Sequence, residues 1–274
     1  MDTSEVISSM AYLCYSSSFI RKLTLIQDGG EKEIRGNLHL FLRAGSGNFK
    51  STMLKELAAY FKVDVIESLT SAGLVGSIDK NMNIIPGMAW KVRNKMLLLD
   101  EFETEGSGNC VKPLLSLLED QEYKKSFGRY ANDQIEKEKD LFFRVKSGEM
   151  YVKTRFSCVI CSMKNIEKSR SQNVDALLSR CVLVPYSLED EEIERVVHGH
   201  KLLRIKSCPF KKPFDFEVSG PDYKEILSAI NSYPGLDKKK QYGRIICDCC
   251  RAFAVFGKHD FNTYFMITKL HQEA

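Results

Sequence analysis

The 274-residue chain has no window approaching 18 consecutive apolar residues, so its sequence offers no hydrophobic membrane-spanning helix. Residues 1–19 lack the basic start and apolar centre of a secretory signal. A soluble, intracellular protein is expected, in the cytoplasm of a prokaryote or in a nucleus. A charge excess is also missing. With 40 Lys and Arg against 36 Asp and Glu the net charge is +4, so contact with a polyanion has to come from local clustering of cations. No internal repeat and no low-complexity tract is present.

Hydrophobic residues make up 43% and charged residues 28% of the chain. A globular chain of that composition and length buries roughly 75% of the surface it exposes when unfolded. The length suits one large α/β unit with a smaller appendage. Nine cysteines, an odd number, are not needed as staples for such a core and are expected to be reduced thiols. Cys158 and Cys161 have CxxC spacing, and Cys247, Cys249 and Cys250 form a second cluster, so a four-thiolate zinc site is conceivable. Against it, 156–161 reads as a buried strand and 244–256 as a helix rich in small apolar residues, both common settings for core cysteines.

The first forty residues suggest an amphipathic helix ending near Ile26, a polar turn over 27–30, and a strand over 37–42. Met53, Leu54, Leu57, Ala58 and Phe61 then fall at helical spacing. Further apolar strands are expected at 95–99, 156–161 and 181–184. Four short apolar strands separated by helices or loops indicate an α/β sheet buried on both faces. Hairpin-like turns are expected around 79–83 and 146–149. After Pro185 a charged helix (188–203), a Pro-bearing loop (207–221) and helices near 222–232 and 241–257 follow. The expected domains are 1–187 and 188–274.

Residues 43–52, Arg-Ala-Gly-Ser-Gly-Asn-Phe-Lys-Ser-Thr, join a strand to a helix, the context in which a phosphate-binding loop is credible. There, backbone N–H groups of Ala44, Gly45, Ser46, Gly47, Asn48, Phe49, Lys50, Ser51 and Thr52 would wrap the phosphates of ATP. Lys50 would neutralise β/γ oxygens and the Ser51 hydroxyl would bind Mg²⁺. Against G-x-x-x-x-G-K-[ST], Ala44 replaces the first glycine and Phe49 the second. The alternative is an ordinary strand-to-helix turn with a solvated lysine. The second element is Lys95-Met-Leu-Leu-Leu-Asp100-Glu101, an apolar strand that delivers two adjacent carboxylates where open α/β sheets place their chemistry. Asp100 would hold the magnesium shell and Glu101 would orient and polarise the attacking water. Together the two elements point to an ATPase.

Several further segments carry a family resemblance. Ile34-Arg35-Gly36-Asn37, Lys50-Ser51, Ser71-Ala72-Gly73-Leu74, Pro86-Gly87-Met88-Ala89, Leu99-Asp100-Glu101-Phe102-Glu103, Val145-Lys146-Ser147-Gly148 and Ala176-Leu177-Leu178-Ser179-Arg180 occur in that order. In this order they resemble the AAA+ ATPase domain of the minichromosome maintenance (MCM) replicative helicases, over about residues 20–270. The resemblance implies a P-loop AAA+ three-layer core with inserted β-hairpins, followed by a small helical lid. It does not extend to the family's N-terminal DNA-binding domain, so a minimal helicase, or one served by a loader or collar partner, is expected.

The same resemblance implies roles. Arg180 resembles the arginine finger that a neighbouring subunit inserts toward the γ-phosphate, and Arg244 the sensor-2 arginine that acts on a neighbour's nucleotide. For sensor 1, Lys164 fits without a gap and Asn165 after a one-residue insertion; Asn165 is preferred because an amide both bonds phosphate and aligns water. Lys146, Lys153 and Arg155 would line a pore hairpin that tracks DNA phosphates, while the turn near 80 carries only Lys80. Arginines supplied in trans imply a head-to-tail ring, a homo-hexamer or a hetero-oligomer, that moves single-stranded or forked DNA. Two other readings are a degenerate nucleotide-binding subunit with a structural role, and a superfamily 3 viral-type helicase, whose loop Gly47-Asn48 ahead of Lys50-Ser51-Thr52 also resembles.

Overall fold

The computed structural model describes residues 3–45, 47–102, 110–127, 131–162, 172–203, 216–233 and 242–273. It is a mixed α/β structure organised around a parallel sheet. The chain opens with α1 (Thr3–Ser17), β1 (Ile20–Gln27), β2 (Gly30–Ile34), β3 (His39–Ala44), α2 (Lys50–Phe61) and β4 (Val65–Glu67). It continues through α3 (Ser71–Val75), β5 (Gly76–Ile78), β6 (Ile84–Pro86), α4 (Met88–Lys91), β7 (Met96–Asp100) and α5 (Val111–Glu119). Next come β8 (Glu122–Ser126), β9 (Gln134–Glu138), β10 (Leu141–Lys146), β11 (Glu149–Lys153), β12 (Ser157–Cys161), α6 (Gln172–Leu178) and β13 (Val182–Tyr186). The last elements are α7 (Asp190–Val197), β14 (Phe216–Asp222), α8 (Tyr223–Asn231), α9 (Tyr242–Phe256) and α10 (Phe261–Glu273).

Five strands form the central sheet in the order β13-β3-β12-β7-β4, and every adjacent pair is parallel. Their side chains alternate between two apolar clusters, as a sheet covered on both faces requires. Leu40 and Leu42 of β3, Leu98 of β7 and Val159 of β12 pack in one cluster with α2, α9 and α10. Phe41, Leu97, Leu99 and Ile160 face the other, with α5 and the inner side of the β8–β11 strands. The first cluster runs from Ile7 of α1 to Leu270 of α10, so segments before and after residue 188 share it. Truncating a member such as Leu42, fully buried, costs about 2–5 kcal/mol.

The N-terminal segment differs from expectation. The helix ends at Ser17, and 20–27 is a strand that pairs parallel with β14 and antiparallel with β2. The apolar spacing of Ile20, Leu23 and Leu25 resembles a helical stripe, but Ile20, Thr24 and Ile26 are β-branched and the long-range partner β14 decides the conformation. The segment read as a loop to 221 supplies that partner from Phe216 onward. Ser17 anchors α1 to the sheet: its hydroxyl lies 3.0 Å from that of Ser157, donates to the Cys14 carbonyl and accepts from the Leu38 N–H.

Besides the mixed sheet β14-β1-β2, the described residues form two wholly antiparallel sheets outside the central one. β5 pairs with β6 across a turn in which the Asp79 carboxylate accepts from the N–H groups of Asn81 and Asn83. The other is a four-stranded sheet in the order β8-β11-β10-β9. Among the described residues no helix is long and apolar enough to cross a membrane.

Candidate nucleotide site and its opposite face

All five parallel strands point the same way, so the residues after β3, β7 and β12 gather along one edge of the sheet. At that edge the chain leaves Ala44, passes through 45–49 and enters α2 at Lys50. Phe49, which caps the helix, has φ 52° and ψ 30°, a left-handed conformation that costs a side-chain-bearing residue about 1–2 kcal/mol. This position, where the phosphate-loop pattern has glycine, keeps the backbone path of a glycine although it carries phenylalanine. The Phe49 side chain makes no hydrogen bond to the helix end and packs against the core. The N–H groups of the first turn are therefore not capped by that side chain, and a helix start of this kind attracts anions.

Lys50 reaches across the mouth of the loop. Its Nζ donates to the Ala44 carbonyl at 3.2 Å and to the Ser162 carbonyl at 3.0 Å, which ties the end of β3 to the end of β12. The Asn48 side chain accepts from the Leu188 N–H at 3.3 Å and sits over Gly45, where a Cβ would lie 3.2 Å from its amide nitrogen. Gly47 has φ 82°, a turn conformation natural to glycine. Ser51 is exposed and Thr52 half-buried on the first helical turn.

At the end of β7, Asp100 is 5% exposed and its carboxylate accepts from the Glu101 N–H at 2.9 Å. Glu101 is exposed and left-handed, at φ 50°, so the chain turns sharply between the two acids. Burial raises the pKa of the Cys161 thiol; Asp100 pushes it the same way and Lys50 opposes. The loop lysine and the strand-end carboxylate thus act on one point at the end of β12. Ser51 and Asp100 offer hard oxygen donors, the chemistry that Mg²⁺ takes when phosphates and waters complete its shell. Ser46 and Asn165 lie outside the described residues.

Arg180 and Arg244 stand at the other end. Arg180 lies two residues before β13, whose Val182 pairs with Leu40 near the start of β3. The loop lies at the far end of β3, roughly 17 Å away at the rise of an extended strand. Arg180 Nε is 2.7 Å from the Glu119 carboxylate, and its Nη1 donates to the Ala176 carbonyl. Glu119 also pairs with Arg35 at 3.4 Å. Arg244, on the first turn of α9, has its pKa lowered mainly by burial; Asp248 and Glu119 oppose that, and Arg180 adds to it. The structure therefore brings Arg180 and Arg244 into one electrostatic neighbourhood and keeps both away from Lys50 and Asp100.

Asp248 organises this end. It accepts from Arg251 and, at 2.7 Å, contacts His271, while Arg251 Nε donates to the Arg35 carbonyl at 2.9 Å. Burial alone would raise the Asp248 pKa, but Arg251 and His271 outweigh it and bring the carboxyl down to about 2. The sequence signalled this network weakly: an Asp three residues before an Arg in the apolar stretch Ile-Ile-Cys-Asp-Cys-Cys-Arg reads as a buried i, i+3 pair. Nothing local marked Glu119.

Of the three hairpin cations, Lys146 is exposed at the end of β10. Lys153 pairs with Glu122 at 3.2 Å. Arg155 departs from expectation: it follows β11 in the core, 2% exposed, and its guanidinium donates to Asn94 and lies 3.6 Å from Asp140. Its desolvated side chain holds the end of β11 against the 94–95 turn and does not face the solvent. Cys158 and Cys161 also part company, since one packs in each apolar cluster on opposite faces of the sheet. No protein-family model and no curated protein matches the chain.

Proposed function

We propose that this protein is an MCM-like AAA+ ATPase that hydrolyses ATP at sites formed between subunits of a ring and uses the cycle to move DNA. The observation that carries the reading is the division of charged side chains between the two ends of one parallel sheet. Lys50, Asp100 and Glu101 share one end; Arg180 and Arg244 share the other. A head-to-tail contact between copies would set the arginines of one against the loop of the next, and a contact of that kind that closes makes a ring. Further support comes from the strand order β13-β3-β12-β7-β4, which places β12 between the loop strand and the acidic strand. The β5–β6 pair interposed between α3 and α4 is compatible with the insert that the resemblance implies near residue 80.

In this reading Lys50 leaves the carbonyls of Ala44 and Ser162 for β/γ oxygens, and the first-turn N–H groups of α2 hold the phosphate chain. Mg²⁺, held by Ser51 and Asp100, would neutralise charge developing on those oxygens. Glu101 orients the attacking water, and the neighbour's Arg180 gives up Glu119 for the γ-phosphate. Lys146 and Lys153 contact DNA phosphates.

A second reading, binding and assembly without turnover, draws on Phe49, whose ring stands where the loop pattern has none. Nucleotide titration and ATP turnover, each with and without single-stranded DNA, separate the two. Turnover stimulated by DNA and abolished in Lys50→Ala supports the motor; saturable binding without turnover supports the second reading. Absence of any saturable, Mg²⁺-dependent nucleotide uptake by folded protein ends both.

A further inference from the structure

The four-stranded sheet β8-β11-β10-β9 has two unlike faces. Leu141, Phe143, Val145, Met150 and Val152 point inward and are buried. The alternate residues of the two central strands point outward, and register sets Phe142 opposite Lys153, Arg144 opposite Tyr151, and Lys146 opposite Glu149. Two aromatic rings thus stand on the outer face, where a solvated sheet needs none. The Phe142 and Tyr151 centroids are 5.1 Å apart, and the Arg144 guanidinium lies 5.9 Å and 5.8 Å from them. The Tyr151 hydroxyl donates to Glu122, which also holds Lys153, so the ring is fixed from the next strand. Ile135, directly opposite Arg144 on β9, is 66% exposed.

Charge on this face is one-sided. Glu122 and Glu149 are engaged by Lys153 and Lys124, and Arg144, Lys146 and Lys137 add three cations across β10 and β9. On a chain with a net charge of +4 this is a local concentration of positive charge around a fixed aromatic pair. Aromatic rings flanked by cations on an open sheet are the means by which proteins hold unstacked bases, with the cations tracking the backbone. A duplex, whose bases are already stacked on each other, cannot use the rings.

We propose that the outer face of this sheet is a platform for single-stranded DNA, with bases stacking on Phe142 and Tyr151 and Arg144, Lys146 and Lys137 neutralising phosphates. The choice of DNA rests on the motor reading; the stacking chemistry does not depend on ATP.

The test is anisotropy of labelled oligo(dT) against a blunt duplex of equal length, in the full chain, over a salt series. Phe142→Ala and Tyr151→Ala are each expected to weaken oligo(dT) about tenfold to a hundredfold and to leave duplex affinity nearly unchanged. Phe142→Tyr retains binding, whereas Phe142→Leu, which keeps the apolar bulk without the ring, loses it. Lys146→Ala lowers affinity for both probes and reduces the salt slope by about one. Unchanged oligo(dT) affinity in the Ala variants, or a Phe142→Leu variant that binds like wild type, overturns the platform. Tighter binding of oligo(rU) than of oligo(dT) overturns the choice of DNA. Wild-type protein that takes up ATP but no oligo(dT) sinks the platform alone. Oligo(dT) binding that needs these rings, in protein that takes up no ATP, upholds the platform and sinks the motor reading.

Discussion

Mixing two inactive variants tests the separation of Lys50 from Arg180 directly. Lys50 stands at the loop end of β3 and Arg180 precedes β13 at the other end, and the length of the strand between those ends, roughly 17 Å, is more than an arginine side chain spans. In the motor reading Lys50→Ala would remove phosphate binding from one face, and Arg180→Ala would remove the trans charge from the other, with an expected loss of turnover of about 10³. In an equimolar mixture, a Lys50→Ala subunit still offers an intact Arg180, and an Arg180→Ala subunit still offers an intact Lys50. Random head-to-tail assembly then makes about a quarter of the interfaces fully wild type. Steady-state ATPase of the mixture should therefore rise to roughly a quarter of the wild-type rate, far above either variant alone. If the variants assemble together, shown by native mass measurement, and the mixture stays as inactive as its components, the two residues do not complete one site in trans. Arg180→Ala with wild-type turnover would refute the assignment still more simply.

The other predictions concern single residues. Asp248→Asn leaves Arg251 and His271 without their carboxylate and should cost about 3–5 kcal/mol, read as a fall in Tm and in the urea midpoint. With its folded pKa lowered from 3.8 to about 2, Asp248 contributes roughly 2 kcal/mol of stability that is complete above about pH 5 and disappears as pH falls through 2. The acid limb of the stability curve should flatten in Asp248→Asn, and an unchanged limb would contradict the pairing. Phe49→Gly relieves about 1–2 kcal/mol of left-handed strain but adds glycine's backbone entropy, about 0.5–1 kcal/mol, and loses the ring's partial burial. Its Tm should stay close to that of wild type while nucleotide affinity increases; weaker nucleotide binding would show that the ring assists the site. Lys50→Ala should abolish nucleotide uptake with a change in Tm of only a few degrees, because the lost bonds are two half-exposed contacts to carbonyls.

The parallel sheet was legible because its strands are apolar on both faces: 39–44, 96–100, 157–161 and 182–186 each lie within two residues of a segment that composition alone marks. β4 was not, since Val65–Glu67 is three residues long and only half-buried, too short for any period to declare itself. The sequence does not delimit helix α10, because its buried Tyr264, Ile267 and Leu270 alternate with exposed Phe261 and Phe265 and its apolar stripe is blurred. The strand β1 was missed for a different reason. Its partner β14 lies about two hundred residues away, and pairing of that kind leaves no local signature.

At the candidate site, residues bound to backbone geometry could be read from sequence, and residues bound to other side chains could not. Lys50 and Asp100 were placed by strand ends, which a one-dimensional pattern marks. Arg155 was misplaced because the sequence shows a cation beyond a hairpin strand but not the depth of the Asn94 and Asp140 contacts that bury it. Glu119 and Asp248 carry little or no local mark in the sequence although they hold the arginines in place. Glu119 serves both Arg35 and Arg180, and Asp248 serves Arg251 and His271 while acting on Arg244. Four arginines thus share two carboxylates at one end of the sheet. Among the described residues these arginines outnumber the carboxylates they meet, and in the proposed reading an anion presented by a neighbouring copy would find Arg180 already held by Glu119. In the proposed reading phosphate oxygens would replace Glu119 as the ionic partner of Arg180, so the side chain would change partners without stranding a desolvated charge.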